Sequence, residues 1–160
     1  MVTNLLGGFR RWIPVSLRLA LGTAFLSAVA DRFGIYGPYG AAGVAWGDFG
    51  HFTAYAAKIN PWAPVGLVPL LSWAATIAEI GLGLALLLGL YTEVVGLASG
   101  VLLLLFALGM TIGTGLKSAV DYSVFSASAG AFALSILGAG PWSLDAMRRT
   151  LNARPPSRAP

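Results

Sequence analysis

The chain has 160 residues, of which 57% are hydrophobic and only 10% charged, and its mean hydropathy is +0.78. Soluble domains carry about a quarter charged residues, so this composition excludes an ordinary water-soluble fold and points to a bilayer. The absence of cysteine excludes disulfides, thiolate metal sites and a dithiol relay carried by this chain. The net charge of +4 does not signal nucleic acid, because four of the ten basic residues fall in the last thirteen positions and read as a cytoplasmic tail.

A hydrocarbon layer of about 30 Å needs about 20 apolar residues per helical crossing, which leaves room for four spans. Trp12 to Phe33 is apolar except for Arg18, Asp31 and Arg32 and forms the first. Residues 34 to 64 differ: "GIYGPYGAAG" and "NPWAP" are turn signals enclosing "VAWGDFGHFTAYAAKI". At 100° per residue, Trp46, Phe49, Phe52, Thr53, Ala56 and Ile59 share one side and Asp48, His51, Tyr55 and Lys58 the other, the pattern of a helix lying in the membrane interface. Gly47 and Gly50 weaken it, so external contacts must hold it.

Val65 to Leu90 is the second span, with Glu79 as its single charge; Gly89 is placed to end it and Thr92 to cap the next. Val94 to Ile112 is an uncharged third span in which Gly96 and Gly100 have the small-xxx-small spacing of close helix pairs. "GTGLKSAVD" reads as a polar connector, and Tyr122 to Leu137 as a shorter fourth span closed by "GAGPW". Residues 1–151 then make one membrane domain, and 152–160 a disordered basic, Pro-rich tail. Arg10, Arg11, Arg148, Arg149, Arg154 and Arg158 at the termini outweigh Arg32, Lys58 and Lys117, which favours a multi-pass protein of the cell membrane with both termini cytoplasmic. Arg10-Arg11, the apolar run Leu19 to Ala30 and Ala28-Val29-Ala30 also imitate a cleavable signal; Arg18 deep in the apolar stretch favours a retained span.

Counted from the cytoplasmic side, Arg18 lies ~8 Å and Glu79 ~15 Å into their spans, and an arginine reaches ~6 Å along a helix, so a direct Arg18–Glu79 pair is expected. An unpaired charge near mid-bilayer costs at least ~2.5–3.5 kcal/mol, which turns both groups inward. The pair reads either as a packing device or as the lining of a polar cavity for a ligand or a proton path. Arg32 follows Arg18 by nearly four helical turns and carries the same face to the outer mouth. There Asp31, Asp48, His51, Lys58, Lys117 and Asp121 form a rim, either headgroup-level solvation or a ligand-binding edge. The single histidine and the lack of cysteine leave no typical zinc set, so no metal is expected. Trp46, Trp62, Trp73 and Trp142 mostly fall where interface belts are expected.

"LRLALGTAFLSAVADRFG", "YGPYGAAGVAWGDFGHFTAYAAKINPW", "AEIGLGLALLLGLYTE" and "DYSVFSASAG" together resemble the DoxX/DoxD-like membrane proteins, a family that includes the small subunit of thiosulfate:quinone oxidoreductase. The resemblance implies a four-helix membrane bundle in which Arg18, Arg32 and Glu79 match the family pattern. Glu93, in the short second loop, departs from the basic residue common there. The expected fold is thus all-α, a four-helix transmembrane bundle with an interfacial amphipathic helix between spans one and two. The leading functional expectation is an accessory subunit of a membrane redox system, with quinone as the candidate cofactor and a redox protein as partner. In that reading Arg18 polarises a carbonyl oxygen, while Glu79 orients Arg18 or exchanges protons. The alternatives are a non-catalytic module that binds a small lipophilic ligand, and a scaffold that assembles with another membrane protein, or with its own copies, through the Gly96/Gly100 face.

Overall fold

A computed structural model describes residues 9–152, and the secondary structure among them is entirely helical. The helices are α1 (Ile13–Arg32), α2 (Phe49–Ile59), α3 (Val68–Leu88), α4 (Thr92–Thr114), α5 (Leu116–Asp121), α6 (Val124–Leu137) and α7 (Leu144–Asn152), with a 3-10 turn, Val65–Leu67, leading into α3. Three helical stretches, Ile13–Arg32, Val65–Leu88 and Thr92–Thr114, are long and apolar enough to cross a membrane. The 14 residues of α6 reach only ~21 Å. The expected tail falls almost wholly at 153–160, outside the described residues, as do Arg154 and Arg158.

Local chemistry sets most boundaries. Pro14 and Pro69 occupy the first turns of α1 and α3, where a missing N–H costs nothing. Gly89 ends α3 with φ +64°, as its position in the sequence leads one to expect. Asp48 begins α2 by accepting the His51 N–H at 2.8 Å. Thr92, expected to cap α4, does not: it is the first helical residue, and its buried hydroxyl has no partner. The cap comes from a distance, since Asp145 accepts the N–H groups of Tyr91 and Thr92 at 2.9 and 2.8 Å. The polar connector after α4 folds into α5, and α7 is a helix where the sequence reading places none.

α1 and α3 run antiparallel and cross at two glycines. A Cβ on Gly22 would lie 3.0 Å from the Gly83 carbonyl oxygen, and one on Gly83 would lie 3.2 Å from that of Gly22. α4 and α6 pack with similar intimacy: a Cβ on Gly96 would meet the Ser135 nitrogen at 2.9 Å, one on Gly100 would meet the Phe132 ring at 2.6 Å, and Ser128 donates to the Gly100 carbonyl at 2.8 Å. The Gly96/Gly100 face is therefore used inside the chain, against α6, and is not free for a partner. Leu21, Phe25, Leu86, Ala131 and Leu134 form the core that joins the two pairs. Gly109 and Gly113 receive the end of α2, where a Cβ on Gly113 would stand 2.1 Å from the Lys58 carbonyl oxygen.

Two ends result. The basic end carries Arg10, Arg11, the α3–α4 turn and α7, while the capped end carries residues 34–47, α2 and α5.

A buried ion pair beneath an aromatic cap

Glu79 is buried, and its partner is Arg32 rather than the expected Arg18: Nη2 of Arg32 stands 2.7 Å from Oε1 and 2.7 Å from Oε2. Only the contact with Oε1 is aligned as a hydrogen bond, so Oε2 has no donor. Nη1 donates to the Thr76 hydroxyl at 2.9 Å, which itself donates to the Ser72 carbonyl, and Nε of Arg32 has no acceptor. The guanidinium carbon lies 3.7 Å from the centroid of the Phe52 ring and 5.3 Å from that of Trp46. Contact with an aromatic face stabilises a desolvated cation by about 2 kcal/mol. Arg32 thus rests between a carboxylate on α3 and two rings brought by the cap.

The direction of Cβ explains why Arg32 wins. Every Cα–Cβ bond tilts toward its helix amino terminus. On α1 that tilt aims Arg32 inward from the capped end and Arg18 outward toward the basic end, and on α3 it aims Glu79 toward Arg32. The Gly22/Gly83 crossing agrees, since four residues beyond it on each helix Arg18 comes level with Leu87, not with Glu79. Helix polarity, which the sequence shows, favours Arg32 over Arg18, but the register that brings Arg32 within reach of Glu79 is set by the Gly22/Gly83 crossing.

Arg18 has a different task. Its Nε donates to the Leu86 carbonyl at 2.9 Å, Nη1 to Ala139 at 2.8 Å, and Nη2 to Leu87 at 3.0 Å and Trp142 at 3.2 Å. These are carbonyls of the last turn of α3 and of the α6–α7 connection, so one cation caps a helix and ties down a loop. Gly89 makes room for it, since a Cβ there would lie 2.6 Å from the guanidinium carbon.

The expected rim separates into parts. Asp31 is buried and accepts the N–H groups of Ala45, Trp46 and Gly47 at 2.8, 3.2 and 3.3 Å, which folds the 34–47 segment back over Arg32. Asp48 and His51 are exposed and paired, with Nδ1 2.7 Å from the carboxylate, and Tyr39 stacks on the imidazole at 3.9 Å. The His51 backbone N–H, followed by its side chain, holds the Asp48 carboxyl below its ordinary range. Lys117 and Asp121 pair with one another on α5, and Lys58 is exposed. None of these exposed groups touches the buried pair. Among the described residues no three histidine or carboxylate side chains converge as a metal set. Sequence reading missed Thr76, Phe52 as a cation-binding face, and Asp31 as a loop anchor.

Along the segment of α3 that carries Glu79, but on its other side, an open apolar groove of about 700 Å³ runs between α3 and α4, lined by Ile77, Gly81 and Leu82 from one and Leu97, Val101 and Leu105 from the other. Gly81 contributes to its width, for a Cβ there would meet nothing within 4 Å.

Comparison of the chain with protein-family models, with curated proteins and with solved structures finds no match. The likeness to DoxX/DoxD-like proteins therefore rests on the quoted residues alone.

Proposed function

We propose that this chain is a multi-pass protein of the cell membrane that binds, without transforming it, a small lipophilic ligand with a hydrogen-bonding head at Arg32 and Glu79. In this reading α1, α3, α4 and α6 form a four-span bundle with both termini cytoplasmic, and α2 with residues 34–47 covers the outer face. The observation that carries it is a buried pair whose hydrogen bonding is incomplete on both partners: Arg32 Nε has no acceptor, and Glu79 Oε2, 2.7 Å from Nη2, has no aligned donor. An unmatched polar atom in hydrocarbon costs several kcal/mol, so both are incentives for a head bearing one acceptor and one donor. The rings of Phe52 and Trp46 offer apolar walls for the head. Admission requires the cap to lift, because the pair is sealed when Asp31 holds residues 45 to 47 in place.

A quinol head meets the same demand, because a phenolic hydroxyl can accept from Nε and donate to Oε2, and this favours the second reading, an accessory subunit of a redox system. Electrons would then come from a partner protein.

The test is mass spectrometry of the small molecules that co-purify from native membranes. A lipophilic compound retained by the wild type and lost from Glu79→Gln at equal protein yield supports the assignment. Equal retention by both, or no compound in either, rejects it and leaves the pair as a packing device. Reporter fusions after Pro160 should report cytoplasm and an insertion near Ala41 the outside; the reverse, or opposite sides for the two termini, refutes the orientation.

A further inference from the structure

We propose that α7, with the arginines around it, is a seat for the anionic phospholipid headgroups of the membrane leaflet at the basic end. Leu144, Met147 and Leu151 follow one another at i, i+3 and i+7 and make one stripe of this helix, Arg148 flanks it, and Asp145, Arg149 and Asn152 lie on the other side. The first turn is held to the protein, where Asp145 receives the start of α4, and the exposed Arg148 guanidinium lies 4.9 Å from the centroid of the Tyr91 ring. The apolar stripe is turned away from the protein, with Met147 55% and Leu151 56% exposed. In water that arrangement is inverted. It is the arrangement of a helix lying along the bilayer surface with its apolar stripe among acyl chains.

The surroundings identify the leaflet. Trp142 is 81% exposed at the start of α7 and packs edge-on against Trp12, on which the Arg11 guanidinium rests at 5.6 Å, so indoles and arginines alternate at one level, as they do at headgroup depth. Arg10, Arg11, Arg148 and Arg149 are all exposed, and among the described residues none of them forms an ion pair with a carboxylate. The nearby acids, Asp145 with Arg149 beside it and Glu93, offset only two of the four charges. Charge complementarity therefore selects an anionic lipid over a neutral one, and the apolar stripe selects a lipid surface over an acidic protein.

The lack of cysteine makes the test direct. Met147→Cys and Leu151→Cys, each carrying a nitroxide label, are placed in nanodiscs of phosphatidylcholine or of an equal mixture with phosphatidylglycerol. Collision with oxygen reports the acyl region, and collision with a water-soluble nickel chelate reports solvent. Each arginine close to an anionic surface contributes roughly fivefold to membrane partition. The phosphatidylglycerol mixture should therefore shift the label toward the oxygen-rich region by up to roughly thirtyfold in docked over undocked population, and Arg148→Gln with Arg149→Gln should abolish most of that shift. Nickel-accessible labels in both lipids would overturn the proposal. So would labels equally buried in both lipids and indifferent to the arginine changes, or spin–spin broadening that reveals a second copy over the stripe.

Discussion

Replacing Glu79 by Ala removes the carboxylate that faces a guanidinium only 3% exposed, and a buried charge left without its counter-charge costs about 3–5 kcal/mol. Arg32 keeps its hydrogen bond to Thr76 and its contact with Phe52, which places the expected loss in the lower half of that range. Glu79→Gln retains an acceptor for Nη2 but not the charge. A neutral hydrogen bond is worth about 1 kcal/mol, so this change should cost about 1 kcal/mol less than Glu79→Ala. Arg32→Leu strands the carboxylate and should cost about as much as Glu79→Ala. The double change Arg32→Leu with Glu79→Leu leaves no uncompensated charge and should recover at least about 2 kcal/mol of the summed losses. The assay is unfolding in mixed micelles of rising dodecyl sulfate content, followed by tryptophan emission. Losses that add within about 0.5 kcal/mol would refute the pairing, and the parallel cycle between Arg18 and Glu79 is expected to add in that way.

Three further outcomes follow from the packing. Gly113→Ala forces a methyl against the Lys58 carbonyl and should release the end of α2 at a cost of at least about 1–3 kcal/mol, seen as faster proteolysis within residues 34 to 60; unchanged cleavage would contradict the docking of α2. Arg18→Lys keeps the charge but cannot answer four carbonyls on two segments, and a loss of about 1–3 kcal/mol in the same unfolding assay is expected, whereas a neutral result would show that charge alone suffices. Burial raises the Asp145 carboxyl, but the N–H groups of Thr92 and Tyr91, with Arg149 nearby, outweigh it and hold the group below its ordinary range. Its stabilising effect is therefore complete above the unfolded value of about 3.9 and fades as pH falls through the lower folded one, so Asp145→Asn should be less stable at neutral pH and lose less on acidification; parallel pH profiles would refute this.

The sequence by itself determined the three helical stretches long and apolar enough to cross a membrane, and most of the other helices. Low charge, long apolar runs, Gly89 and the turn signals around residues 34 to 64 act within a few residues of where they stand, so composition and periodicity reveal them. It also marked Arg18, Arg32 and Glu79 as inward-facing, since a charge in an apolar helix has few other options. Tertiary structure decided who meets whom. Arg32 took Glu79 because the register of α1 against α3 is set at Gly22 and Gly83, two residues without charge or motif to advertise them. Asp145 took the cap expected of Thr92, and Gly96 and Gly100 were consumed by α6, through contacts between residues far apart in the chain. Such contacts depend on which backbones approach closely, and that follows from the joint packing of several helices rather than from any one stretch of sequence.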